Sequence, residues 1–169
     1  RILKDRIDET EGNNYYRMEL TDLRTRMDPS WYNYNGVSTF SSMAYEKSAN
    51  LHFNLGMFGN YINSYTYNLQ TPIYNAMFAL KYIVNNSEEV DMNQKFYKPQ
   101  FKAKPFTSYE NRYYLPIAYC VDNSVANWDI TFSSPFDVQS DYFERATGIS
   151  DVYTDVPITT ISYQNIEDF

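Results

Sequence analysis

The stretch WYNYNGVSTFSS at 31–42 sets Trp31 and Tyr34 among Asn33, Asn35 and Ser38. Aromatic faces stack on pyranose rings while amides and hydroxyls read sugar OH groups, so this set could hold a glycan or polyol. The same letters also describe a structural loop. Asn35-Gly36 is a tight-turn pair that asks for positive φ, and Ser41 and Ser42 can bond the backbone at a bend. The turn reading is favoured for Asn35 and Gly36, and exposure with ligand contact for Trp31 and Tyr34. A second stretch, KFYKPQFKAKPF at 95–106, interleaves Lys95, Lys98, Lys102 and Lys104 with Phe96, Tyr97, Phe101 and Phe106. Such a strip can track a polyanion or lie on an anionic membrane. The favoured alternative is an edge hairpin kept soluble by its lysines.

Groups that could break or make bonds are sparse. His52 is the one histidine, and without a G-x-S-x-G signature it reads as a partly exposed structural residue of a short helix. Cys120 in LPIAYCVD reads as a buried strand thiol, whose pKa should rise rather than fall. Asp137, Asp141 and Glu144 fall at helical spacing beside Arg145, as a solvated helix face does. Asp151 and Asp155 could hold Ca²⁺, but the D-x-[DN]-x-[DN]-G pattern is missing. The 5 glycines form no phosphate-binding loop. No catalytic residue, metal ligand or cofactor of this chain is therefore assigned.

Composition narrows the partners. A chain of 169 residues with 43% hydrophobic and 18% aromatic content is expected to fold as one domain with a proper core. Its 18 tyrosines suit either a wet contact surface or nothing more than a composition bias. The net charge of −7 is uneven: residues 121–169 carry Arg145 against nine acids, while 1–120 are nearly balanced. Nucleic acid is thereby disfavoured, because duplex binding needs a basic face. No apolar run approaches the roughly 18 residues of a membrane span. The chain opens on RILKDRIDET with neither Met nor signal peptide, which reads as a piece of something longer.

The elements that must position these residues follow from periodicity and caps. YYRMELT at 15–21 alternates Tyr16, Met18 and Leu20 against Arg17, Glu19 and Thr21, the pattern of a half-buried strand. A short strand is expected at 38–40, and a short helix at 48–55 with Ser48 as cap and Gly56 after it. Thr71-Pro72 opens a helix that passes straight into the strand KYIV at 81–84. Residues 85–95 read as a loop, and 107–121 as a strand, a turn at Glu110–Asn111 and a longer strand carrying Pro116. Ser134 and Pro135 open the last helix, with Phe136, Phe143 and Ala146 as its buried stripe and Gly148 as its end. Residues 151–164 alternate again and suggest a terminal strand pair. Without regular βαβ repetition the class is α+β: a mixed or antiparallel sheet with two or three short helices packed on it.

In that order, YYRMEL, NYNGVSTFSS, TPIYNAMFALKYIV, YENRYYLPIAYCVDN and SSPFDVQSDYFERATG resemble the soluble extracytoplasmic region of the bacterial YfhO family. The family's members are polytopic membrane proteins similar to GT-C-type glycosyltransferases. The resemblance covers about residues 13–148 and leaves both ends unmatched. It implies a single extracytoplasmic domain, 1–169, at the outer face of the cell membrane. The parent would use a polyprenyl-phosphate sugar donor, and the domain would have its own transmembrane region and a cell-surface glycopolymer such as teichoic acid as partners. It further implies that this piece is not catalytic alone but helps to hold the acceptor. A free-standing carbohydrate-binding module, or a purely structural or protein-contact ectodomain, is the alternative. One departure stands out: the family's Gly-Ile/Val-Lys-Tyr run is Ala79-Leu80-Lys81-Tyr82 here.

Overall fold

The computed structural model describes residues 1–68, 71–86 and 92–156. In chain order the elements are α1 (Ile2–Glu11), β1 (Arg17–Leu20), α2 (Asp28–Tyr32), β2 (Thr39–Phe40), α3 (Glu46–Asn54), β3 (Phe58–Gly59), β4 (Ser64–Thr66), α4 (Pro72–Met77), β5 (Leu80–Asn85), β6 (Tyr97–Ala103), β7 (Phe106–Asn111) and α5 (Pro135–Thr147). A 3₁₀ turn at Asn123–Asn127 precedes α5. The strands form a four-stranded sheet of order β1-β5-β7-β6 and a three-stranded sheet of order β2-β4-β3. Among the described residues only β1 and β5 run parallel; the other pairings are antiparallel. The α+β class holds, with five α-helices among the described residues where two or three were expected.

The central strand β5, LKYIVN, is buried almost along its whole length because both faces of the sheet are covered. On one side Tyr82 and Val84 join Tyr16, Met18 and Tyr34 beneath Leu3 and Ile7 of α1. Two apolar residues four apart give α1 its inward stripe, a signal too thin to be noticed among its charges. Its C-terminal end is tied down by Glu11, which accepts from Lys81 Nζ at 2.5 Å and Tyr82 Oη at 2.6 Å. On the other side Leu80 and Ile83 pack with Leu55, Met57, Tyr67, Tyr74, Tyr97 and Val138.

Seven of the 18 tyrosines are interior. Tyr16, Tyr34, Tyr67, Tyr74, Tyr82, Tyr97 and Tyr142 are all buried, and buried hydroxyls must find partners. Tyr67 donates to Asn75 Oδ1 at 2.8 Å, while Asn75 Nδ2 donates to Tyr97 Oη at 2.7 Å. Gln139 of α5 accepts from Thr71 Oγ1 at 2.6 Å and donates to the Leu55 carbonyl at 2.8 Å, so one amide ties α5 to two other segments. Among the described residues no buried side-chain nitrogen or oxygen lacks a partner.

At the junction of α4 and β5 stands Ala79-Leu80-Lys81-Tyr82. Thr71 caps α4 through the Tyr74 amide, and Pro72 begins the helix. The chain then turns into β5 through Ala79 at φ 56°, a left-handed conformation that favours glycine. The junction forms with alanine in place, at a steric cost.

Several expectations are corrected. Residues 113–121 form no strand: β7 ends at Asn111 and the following segment is largely exposed, with Tyr113, Tyr114, Leu115 and Ile117 facing solvent. Cys120 is exposed rather than buried. The inward stripe of α5 is Val138, Gln139 and Tyr142, not Phe136, Phe143 and Ala146; Phe136 faces solvent. Helix α3 starts at Glu46, so Ser48 lies inside it, while Gly56 follows its end at φ 98° as expected. The expected terminal strand pair falls mostly on 157–169, and part of the 85–95 loop on 87–91, outside the described residues.

Candidate functional site

Period-two alternation puts Glu19 on the solvent side of β1, yet it is fully buried. The segment 34–38 folds back over it. Glu19 Oε2 accepts from the amides of Val37 and Ser38, both at 2.9 Å, and Oε1 accepts from Tyr34 Oη at 2.9 Å and the Leu20 amide at 3.1 Å. Burial pushes the carboxyl above the ordinary carboxylate range, against the downward pull of the Ser38 and Val37 amides and the Tyr34 hydroxyl. Asn35 covers the open edge of β1: its carbonyl accepts from the Met18 amide at 3.0 Å, and its Nδ2 donates to the Tyr16 carbonyl at 3.2 Å.

This cradle settles the conformation of the opening stretch. Asn33, not Asn35-Gly36, takes the left-handed turn, at φ 53°, where it ends α2. Gly36 is needed for space instead: a Cβ there would come within 2.6 Å of Pro29 Cγ, 2.8 Å of Tyr34 Cε2 and 2.9 Å of Glu19 Oε2. Tyr34 is buried, correcting its expected exposure. Ser38 is buried as well, and its Oγ accepts from the Tyr67 amide at 3.0 Å. Trp31 is 78% exposed, and Asn33 and Asn35 lie at the surface. Nothing in the local sequence announces the Glu19 contacts; the Tyr34-to-Ser38 run that makes them looks like any polar loop.

Beside the cradle lies a cleft of about 660 Å³. Its floor is apolar, from Leu3 of α1, Met18 and Leu20 of β1, Val84 of β5 and Phe106 of β7, with Tyr32 and Tyr34 on one wall. Lys4, Arg24 and Lys104 stand around it with Asp22 and Asp28. Lys4 is paired with Asp8, and Asp28 accepts from the Arg24 amide at 2.8 Å. Among the described residues neither Arg24 nor Lys104 has a carboxylate at ion-pairing distance. The two stretches singled out in the sequence thus meet here, through Tyr32 and Tyr34 of one and Lys104 of the other. Lys95, Lys98 and Lys102 do not reach the cleft. They are exposed, Lys98 and Lys102 on β6, the edge strand of the larger sheet.

The other titratable residues have structural surroundings. His52 is buried, not partly exposed: its ring stacks on Tyr65 with centroids 3.8 Å apart, and Nδ1 lies 2.8 Å from Tyr74 Oη. Burial, with Arg17 nearby, lowers its pKa to about 3, so it is neutral at physiological pH. Asp141 pairs with Arg145 at 3.0 Å on the wet face of α5. Among the described residues no cluster of three or more His, Cys, Asp or Glu could hold a metal ion.

A mixed-sheet domain with a cation-rimmed, apolar-floored cleft is the class that fold and site define. The family model of the bacterial membrane protein YfhO matches residues 2–168, and the chain belongs to that family. The match reaches beyond 13–148 at both ends and takes in α1. No described helix is long and apolar enough to cross a membrane. Neither a curated protein nor a solved structure matches the chain.

Proposed function

We propose that this chain is an extracytoplasmic, non-catalytic domain of a YfhO-type membrane glycosyltransferase, and that its cleft holds an anionic surface glycopolymer, such as teichoic acid, as acceptor. The observation that carries this reading is the meeting of Arg24 and Lys104 with Tyr32 at one cleft, in a chain whose overall charge is −7. Cations that have no carboxylate partner among the described residues, Arg24 and Lys104, suit polymer phosphates. Tyr32, with Trp31 and Asn33 beside it in sequence, supplies ring faces and an amide for sugar or polyol units. Asn35 and Ser38 act behind this surface, because their polar atoms are engaged by β1 and by Tyr67. Sugar transfer itself belongs to the membrane-embedded part of the parent, with a polyprenyl-phosphate sugar as donor.

The test is an NMR titration of the isotope-labelled chain with glycerol-phosphate oligomers. Saturable shifts at Tyr32, Arg24 and Lys104 are expected. They should vanish in Arg24→Glu/Lys104→Glu and persist in Lys98→Glu/Lys102→Glu, whose lysines stand outside the cleft. Absence of shifts at millimolar ligand, or equal loss in both double variants, would overturn the cleft reading.

A further inference from the structure

The smaller sheet carries a surface that the cleft does not explain. Met43 is 91% exposed, Ile62 61% and Phe58 64%, with Phe40 and Tyr61 also open to solvent. These residues are brought together by the sheet. Phe40 of β2 lies opposite Ser64, and Phe58 of β3 opposite Thr66, so both aromatics project from one face across β4. Ser41 N donates to the Asn63 carbonyl at 3.1 Å, which ties the loop carrying Met43 to the hairpin tip carrying Tyr61 and Ile62.

That tip is built, not loose. Asn60 Oδ1 accepts from the amides of Ile62, Asn63 and Ser64 at 3.1, 3.0 and 3.1 Å, and Asn60 Nδ2 donates to Asn63 Oδ1 at 2.9 Å. Tyr61 sits at φ 63°, with its ring 3.7 Å from that of Phe53. One asparagine thus fixes a turn whose outward residue is a bare isoleucine. An exposed turn usually carries polar side chains, so an apolar tip held this firmly calls for an apolar neighbour.

Charge identifies the neighbour. From Pro29 to Leu80 the only charged side chains are Glu46 and Lys47. Arg26 lies on the same face as Phe40 and Phe58, bonding Ser64 Oγ at 2.7 Å and Thr66 Oγ1 at 3.1 Å, its guanidinium 5.9 Å from the Phe58 ring. Aliphatic tips, aromatic rings with polar ends and a near absence of charge are what the headgroup–acyl boundary accepts. Charged side chains are costly there, and aromatic residues concentrate there. The chain belongs to a membrane-protein family, so a bilayer is at hand. We infer that loops 40–45 and 58–63 insert their apolar side chains into the interfacial zone of a lipid bilayer and so orient the domain on the membrane. This needs only family membership and the smaller sheet, and it stands or falls separately from ligand binding in the cleft.

Vesicle flotation of the 169-residue chain tests it, with phosphatidylcholine vesicles and with vesicles containing an equal part of phosphatidylglycerol. Binding to both is expected, because apolar side chains do the inserting, with Arg26 on the same face adding no more than a modest, salt-sensitive preference for the anionic vesicles. Met43→Ser and Ile62→Ser should each lower partitioning about tenfold, the loss expected for one buried apolar side chain. Both side chains project into solvent, and unchanged circular dichroism would exclude unfolding. Lys98→Glu/Lys102→Glu should bind as the parent chain does. Three results would overturn the inference: no binding to either vesicle, binding to anionic vesicles alone that the lysine variant removes, or self-association that Ile62→Ser abolishes in place of vesicle binding. The last would make a second copy of the chain the occupant.

Discussion

Acidification is expected to weaken this fold through His52. Its imidazole is 5% exposed, packed on Tyr65 and bonded to Tyr74 Oη, and burial with Arg17 nearby lowers its pKa from 6.5 to about 3. A base whose folded-state pKa is depressed lets the unfolded chain take up the proton first, so stability falls as pH drops from about 6.5 toward 3. Between pH 7 and pH 5 the unfolded imidazole gains about 2 kcal/mol from protonation that the folded one does not share. Against a total stability of about 5–15 kcal/mol for a domain, that is readily measured. The assay is urea unfolding at both pH values for the parent chain and His52→Gln, whose side-chain carbonyl can still accept from Tyr74 but cannot be protonated. Glu19 works in the opposite direction, since burial raises its pKa and acid favours its folded form. At Asp8 and Glu11 burial is outweighed by hydrogen bonds from Lys4 and Tyr16 and from Lys81 and Tyr82, so their contribution is lost on acidification, mostly below pH 4.5. All three groups are common to both proteins and cancel in the difference. The parent should lose about 2 kcal/mol more than His52→Gln between pH 7 and pH 5. Equal losses, within about 0.5 kcal/mol, would refute the reasoning.

Two backbone substitutions make opposite tests. Ala79→Gly should stabilise the chain by about 0.5–1 kcal/mol in a thermal or urea melt, since relief of the left-handed strain outweighs the added freedom of the unfolded chain. Gly36→Ala should destabilise by about 2 kcal/mol and speed hydrogen exchange at the Val37 and Ser38 amides, because its methyl meets Pro29, Tyr34 and Glu19 at once.

What could be read from sequence was whatever rests on neighbours along the chain. β1 shows as alternation, α4 as Thr71-Pro72, the end of α5 as Gly148, and the edge position of β6 as its exposed lysines. What could not be read depends on distant segments. Glu19 looks exposed because alternation cannot see the loop that returns fifteen to nineteen residues later to cover it. His52 looks half-open because Tyr65, Tyr74 and Phe78, which bury it, arrive from other elements. The apolar run around Cys120 suggests a strand, but β7 ends at Asn111 with β5 and β6 already as its partners, and the run pairs with neither sheet. Candidate ligand residues separate in the same way. Trp31 stays outside, while Tyr34 and Ser38 turn in because a buried carboxylate and the buried Tyr67 amide require their partners.

The middle of the opening stretch is a structural loop, while its ends stay exposed. A carboxylate buried without a countercharge is costly, and it is tolerated only when hydrogen bonds satisfy it. Glu19 meets that condition only when Tyr34, Val37 and Ser38 are in one arrangement, so the middle of the stretch has a single conformation, with Gly36 and Asn35 fitted to it. Its two ends project from this fixed centre: Tyr32 lines the cleft with Trp31 exposed next to it in sequence, and Phe40 is exposed on β2 of the smaller sheet. Preorganisation lowers the ordering cost of binding. Under the two proposals above, a wall pinned by Glu19 would meet an acceptor at one end and a bilayer at the other without either contact having to order the loop. Loosening the centre with Gly36→Ala should weaken both contacts together, although Gly36 touches neither ligand.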